Sequence, residues 1–371
     1  MFAPRRHAVL PVLLGLCLAC SALPWPTGRS RPVADRVANG LVDLRGIVHV
    51  HTRDSHDSPG NVGQVVEAAR SAGVSWVALT EHTRPGLPAA QGRVHGVTLI
   101  PGYELRGWGG SILAIGIETL PAKRKDPIAL VRRIHEAGGL AFLAHLERVE
   151  IEPAEFALAG LDGIEIANLH ANATQARRVG LAARSLLLPT PWMLRALIPT
   201  PTDNLARWEA IPEAYSIVGA VDAHSKLRVL GPLGGTVDSY ARVFRLLTTH
   251  VWARDASRAA ILEALREGRS YVAFEGLRPV DEFQFERIDD YFALAAPEPA
   301  RLSLVCDGVE AGAEEAAQAV IAIPPGAARC RAEAWRGGRL WIVTSYRRVG
   351  VARSPASEAR PEAGEETETP F

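Results

Sequence analysis

Apolar positions along the chain gather into short runs that end directly in His, Asp or Glu. GIVHVH reaches His49 and His51, WVALTEH reaches His82, VTLIPGYE reaches Glu104, and LAFLAH reaches His145. DGIEIANLH reaches Glu165 and His170, and YSIVGAVDAH reaches Asp222 and His224. Such compact apolar runs predict buried strands. Between them the period changes to that of amphipathic helices, over Val62 to Ala72, Pro127 to Ala137, Ala173 to Leu187 and Arg258 to Gly268. Strand followed by helix, repeated, predicts βα units on a parallel sheet. Leu246 to Trp252 reads as a seventh strand. In an α/β barrel all strands aim their carboxyl ends at one mouth, so the acidic and imidazole residues are expected to converge there.

The barrel pattern covers residues 41–274. From about Glu275 helical periodicity fades, and ARLSLVCDG, AVIAI, RCRAEAW and RLWIVTSY predict a small antiparallel, sandwich-like β domain over 275–351. Residues 352–371 hold almost no large apolar side chain, so they cannot offset their ordering entropy and are expected to be disordered. At the other end, Arg5 and Arg6 precede an apolar run, Val9 to Ala19, of secretory-signal length. The run closes on Cys20 in a sequence that resembles a bacterial lipobox, with an ordinary cleaved signal or an uncleaved anchor as the alternatives. Residues 1–20 are thus read as the signal and 21–40 as a tether. The chain is expected to be exported, periplasmic or at the cell surface, and lipid-anchored through Cys20. Cys306 and Cys330 then remain in an exported domain, where a disulfide between them is expected.

A formal net charge of zero and the absence of a basic block argue against a large nucleic-acid partner and leave a small-molecule substrate. No cysteine lies near the His and carboxylate motifs. Imidazole with carboxylate suits zinc, manganese or iron at a catalytic site, whereas thiolates suit structural zinc. His49 and His51, two apart on a strand, are expected to face the same way. A carboxylate such as Glu104 can bridge two cations, and so many ligands exceed the needs of one four- or five-coordinate ion.

These motifs, taken in order, resemble the polymerase and histidinol phosphatase (PHP) superfamily of metallohydrolases. The likeness rests on H-x-H-T-x-x-S-x-D at 49–57, T-E-H at 80–82, I-P-G-Y-E at 100–104, A-H at 144–145, G-I-E-I-x-N at 163–168 and D-A-H at 222–224. The branch it is most similar to is the carbaryl hydrolase type, which follows the barrel with a β domain ending in W-x-L/V-T-S, here Trp341 to Ser345. The resemblance implies a distorted seven-stranded α/β barrel carrying two or three divalent ions. It implies His49, His51, Asp57, His82, Glu104, His145, Asp222 and His224 as ligands, with His170 a ninth candidate and His56 an alternative to Asp57. In the family's partition His49, His51 and Asp222 hold one ion, His145 and His170 a second bridged by Glu104, and Asp57, His82 and His224 a third. Glu165 is read as holding a neighbouring ligand. Glu81 stands where the family has Asp, and Ser111 where many relatives place a His.

Arg53, Arg84, Lys226 and Arg228 follow metal-binding strand ends, where a guanidinium can grip phosphate oxygens, and of these Arg53 and Arg84 are the candidate substrate-binding groups. Ser185 to Pro199 is apolar but broken by Pro189, Pro191 and Arg195, which suggests a helix packed on the barrel or an apolar lid. The expected reaction is hydrolysis of a phosphoester by metal-activated water, with Asp222 and Glu104 central to catalysis. Hydrolysis of a carboxylic or carbamic ester at the same site, or a non-catalytic metal- or ligand-binding lipoprotein, are the alternatives.

Overall fold

The structure, a computed structural model, describes residues 40–82, 90–119, 126–149, 152–171, 198–211, 216–226, 236 and 238–350. Arg84, Cys20, the signal, tether and tail, the helix expected from Ala173 and most of Ser185 to Pro199 lie outside these residues. The strands are β1 Val42–Val50, β2 Trp76–Leu79, β3 Gly92–Val94, β4 Val97–Ile100, β5 Gly102–Gly107, β6 Gly110–Ile115, β7 Leu140–Ala144, β8 Gly163–Asn168 and β9 Ser216–Ala223. They continue as β10 Thr248–Ala253, β11 Ser270–Ala273, β12 Gln284–Ile288, β13 Tyr291–Cys306, β14 Val309–Ala322, β15 Arg329–Arg336, β16 Arg339–Thr344 and β17 Arg347–Arg348.

The barrel closes through parallel pairings β2–β1, β1–β9, β9–β8 and β8–β7, then antiparallel β7–β6 and β6–β5. A parallel bridge from Glu81 to Tyr103 joins β5 back to the end of β2. The expected βα pattern is therefore interrupted at β5 and β6. Gly107 and Gly110 are opposite partners around a tight turn, so β5 and β6 form a hairpin where a crossover helix would otherwise lie. The strand expected at Leu246 to Trp252 exists as β10, but it runs antiparallel to the first half of β1. It passes the sheet on to β11 and, through β16, to the antiparallel strands of the carboxy-terminal region.

Local chemistry sets the helix limits. Val62–Ser71 begins at Asn61, whose side chain accepts from the Gln64 amide while Gln64 returns a contact to the Asn61 amide. Pro127–Glu136 starts behind an Asp126 cap and Arg258–Arg266 behind a Ser257 cap. Gly46 on β1 faces Trp76 on β2, and a Cβ there would meet the indole at 1.8 Å, so only glycine lets the ring cross the neighbouring strand.

The first half of β1, ahead of His49 and His51, is anchored by a buried polar group. His250 Nδ1 lies 2.8 Å from Asp43 Oδ1, its Nε2 lies 3.4 Å from Glu275 Oε1, and Tyr271 donates to Asp43. Arg45 pairs with Glu275 at 3.1 Å. Burial opposes protonation of His250, but Asp43 and Glu275 outweigh it and raise its pKa. A raised folded pKa contributes stability that is complete below the unfolded value of about 6.5 and is lost as pH climbs through the folded value. Thermal melts are thus expected to lose this component above about pH 6.5, and His250→Gln to remove it, its melting temperature converging on wild type as pH rises.

Cys306 and Cys330 face each other across β13 and β15 and form a disulfide. The bond closes a loop with a sequence separation of 24. Replacing both cysteines with serine is expected to cost about 2–4 kcal/mol in denaturant unfolding. Thiol labelling of the unreduced protein should modify neither residue.

Candidate metal centre

Backbone irregularity, rather than strand alternation, aims the histidines. Leu44 and Val48 share one apolar cluster with Trp76, Phe142 and Val218, whereas Ile47 and Val50 share another with Val65 and Ala69 of the first helix. Ile47 and Val50 are three apart yet lie on one side, so the chain has gained a residue between them. The pairing with β2 shifts at that point, and His49 adopts a left-handed φ of 66°. The bulge turns both His49 and His51 away from the helix-covered side, which strict alternation from Ile47 would have given them. Similar register shifts occur in β9 ahead of Ala223 and in β8 between Glu165 and Ala167, and Asp222 and His145 also have left-handed φ values of 48° and 54°. Each left-handed side-chain residue costs on the order of 1–2 kcal/mol, and these three stand together at the same end of the barrel.

Four donor atoms converge between these strands. His49 Nε2 is 3.4 Å from Glu104 Oε2 and 3.5 Å from Asp222 Oδ1, and His51 Nε2 is 3.4 Å from both. Metal bonds of about 2.0–2.1 Å at tetrahedral angles place neighbouring donors about 3.3–3.4 Å apart, so each of these imidazole–carboxylate spacings fits two ligands of one ion. The second Glu104 oxygen faces His145 Nε2 at 3.2 Å, and the second Asp222 oxygen lies 3.8 Å from the same nitrogen. On the other side, Asp57 lies 2.8 Å from His224 Nε2 and 3.6 Å from His82 Nε2, while His82 Nδ1 reaches Glu104 Oε2 at 3.3 Å. These atoms fall into three overlapping groups able to hold an ion: His49, His51 and Glu104; His49, His145 and Asp222; and His51, Asp57, His82 and His224.

Hydrogen bonds fix which ring nitrogens face inward. Ser55 Oγ gives its one proton to Glu81 at 2.5 Å, so at 3.3 Å it accepts from His51 Nδ1, and Nε2 is left with the lone pair. His49 Nδ1 donates to Glu165 at 2.8 Å, His145 Nδ1 to Glu147 at 3.3 Å, and His224 Nδ1 to the Asp222 carbonyl at 3.0 Å. All four Nε2 atoms therefore point at carboxylate oxygens. His49 Nε2, His51 Nε2, Asp57 Oδ1 and Asp222 Oδ1 are buried with no hydrogen-bond partner. Lone pairs held against lone pairs out of water call for a cation, or protons, between them.

Protonation shifts show the same demand for positive charge. Burial opposes protonation of His49, yet Asp222, Glu104 and Glu165 prevail and raise its pKa. Burial likewise opposes that of His145, but hydrogen bonds to Glu104 and Glu147 push it up to about 10. Burial would raise Glu104 and Asp222, yet the surrounding imidazoles hold both well below the usual carboxylate range. His224 goes the other way, down to about 4, chiefly by burial. Cation binding at this cluster would displace protons from His49 and His145.

Of the remaining candidates, Arg53 is exposed on the loop after β1. His170 packs its ring 5.1 Å from that of His224 and lies outside the three donor groups. His56 is exposed, with its ring 5.0 Å from that of His82. Ser111 is half-buried on β6, opposite Ala144 on β7. Glu165 does hold neighbouring ligands, through His49, the His145 amide and Asn168, which in turn reaches Asp222 at 3.4 Å. Sequence reading missed Tyr240, which donates to the His51 carbonyl at 2.6 Å, and Ser58, which contacts the carbonyls of His51 and His224. Nothing in the sequence marks Tyr240, 189 positions from its partner, whereas Ser58 adjoins the recognised motif.

A barrel whose strand ends converge on a buried imidazole and carboxylate cluster is the class of protein that fold and site define. No family model matches the chain, and no curated protein matches it. Among solved structures it is similar to a two-domain protein from Bacteroides vulgatus ATCC 8482 described as containing a predicted PHP-like metal-dependent phosphoesterase. That pair shares 18% identity over 86% of this chain and 99% of the other, with a TM-score of 0.45. A candidate metal-dependent phosphoesterase from Bifidobacterium adolescentis ATCC 15703 shares 15% identity over 53% of this chain and 94% of the other, with a TM-score of 0.30. At these levels the functional reading rests on the residues of this chain.

Glu165→Gln keeps the shape of the side chain but weakens its hold on His49. It is expected to lower metal affinity about 10–100-fold while leaving the circular dichroism spectrum unchanged, as a chelator competition titration would show.

Proposed function

We propose that the chain is a metal-dependent hydrolase that cleaves small-molecule phosphoesters at a centre of two or three divalent ions, zinc, manganese or iron. The observation that carries this reading is the buried quartet of His49, His51, Glu104 and Asp222, in which each His Nε2 lies 3.4–3.5 Å from an oxygen of each carboxylate, flanked by two further donor groups. Divalent ions bound there supply Lewis acidity, which brings the pKa of water toward neutrality and neutralises phosphoryl charge.

The chain's own residues do the positioning. Glu104 presents one oxygen to the quartet and the other to His145, so it is suited to bridging, and Asp222 is placed likewise. Asp57, His82 and His224 form the outer group, which His170 would join from beside His224. Arg53, on the loop after β1, and Arg84 would bind the anionic ester. Motif order and strand pairing support placing the chain in the PHP superfamily, with a distorted seven-stranded barrel over 41–274 and a β domain of the carbaryl hydrolase type over 275–351. The Cys306–Cys330 disulfide supports an exported location, with Cys20 the proposed lipid anchor.

The test is metal content by mass spectrometry, joined to turnover of an aromatic phosphomonoester, a phosphodiester and a carboxylic ester with added manganese or zinc. Two or more ions with phosphoester cleavage are expected, and Asp222→Asn should lower turnover by more than about a hundredfold with reduced bound metal. Cleavage of the carboxylic ester alone would move the chain to carboxylic or carbamic esters, and bound metal without turnover would leave a binding protein.

A further inference from the structure

The three donor groups differ in charge as well as in position. Around the inner two stand Glu104 and Asp222, with Glu165 behind His49. The outer group has one carboxylate of its own, Asp57, and that carboxylate is shared. Its Oδ2 lies 2.8 Å from His224 Nε2 and 3.0 Å from the Lys226 ammonium, while its Oδ1 is buried without a hydrogen-bond partner, 3.6 Å from His82 Nε2. Two members of the outer group are also more open than the inner residues, although His224 is buried. Asp57 and His82 side chains are 25% and 26% exposed, against at most 9% for His49, His51, Glu104, His145 and Asp222.

Resting on the metal-centre reading above, we infer that Lys226 is a built-in competitor for the outer cation position, making that ion the weakly held, exchangeable one. A fixed positive charge beside the only carboxylate of the group opposes a divalent ion at short range. An entering ion must also take over the oxygen that the ammonium holds. The lysine can yield without disturbing the fold. Its backbone amide is held by Asp238 at 3.1 Å, while its side chain is 38% exposed. The donors support the same ranking, because a single imidazole lone pair lets His51 serve either the quartet or the outer group, and the quartet offers it two carboxylates. The outer position is then left with Asp57, His82 and His224.

The test is calorimetric titration of the chelator-stripped chain with zinc or manganese, with ions counted by native mass spectrometry. Wild type should bind its inner ions tightly and one further ion at least about tenfold more weakly. Lys226→Met should tighten that last ion about tenfold or more and leave the tight phase unchanged, whereas Asp57→Asn should abolish the weak phase alone. A weak phase unaltered by Lys226→Met, or ions of equal affinity in wild type, would overturn the role of Lys226 and leave the metal centre standing. A chain that binds no ion would overturn the metal-centre reading and this inference with it.

Discussion

Buried lone pairs facing one another are the constraint on which this molecule turns. Nε2 atoms of His49, His51, His145 and His224 are each aimed at a carboxylate, and each is fixed there by a partner on Nδ1. Such an array is repulsive by itself in a poorly solvated interior. The surrounding structure nevertheless spends backbone strain to create it, with bulges in three neighbouring strands and left-handed turns at His49, His145 and Asp222. Strain of this kind persists only where packing on every side imposes it, and here Trp76, Phe142 and the first helix supply that packing.

Much of the site was legible because it lies at strand ends. GIVHVH, LAFLAH and SIVGAVDAH are buried throughout, so the polar residues that end each must emerge near the barrel mouth, and His51, His145 and Asp222 do meet there. The same burial concealed the bulges. With Gly46 to Val50 buried without a break, no alternation remained to reveal that the register slips at His49. Strand direction was hidden for a related reason. The apolar run that forms β10 fits either direction, and only the long pairing partners Val42 to Gly46 decide that it lies antiparallel.

The hydrogen-bonded surroundings of the ligands were less legible still. Tyr240 acts on the centre from a position whose neighbours in sequence give no hint of it, and although Glu147 and Lys226 each stand two positions after a motif histidine, nothing there shows that Lys226 meets Asp57, 169 positions away. A side chain that tunes a ligand needs only one atom in place, so it leaves no periodic trace. Glu165 was legible because it belongs to the same short motif as Asn168 and touches the ligands directly.

The segment from Trp341 to Ser345 carries a consequence for how the chain is made. Ser345 Oγ accepts the backbone amide of Ile217 on β9, 128 positions earlier, and shares a hydrogen bond with Ser270 Oγ, while β16 lies along β11. The wall that holds Asp222 therefore stays unfinished until the last strands emerge from the ribosome. At about 5–20 residues per second, that leaves β9 without its Ser345 contact for about 6–25 s of synthesis. Completion of that wall is thus timed by the carboxy-terminal strands.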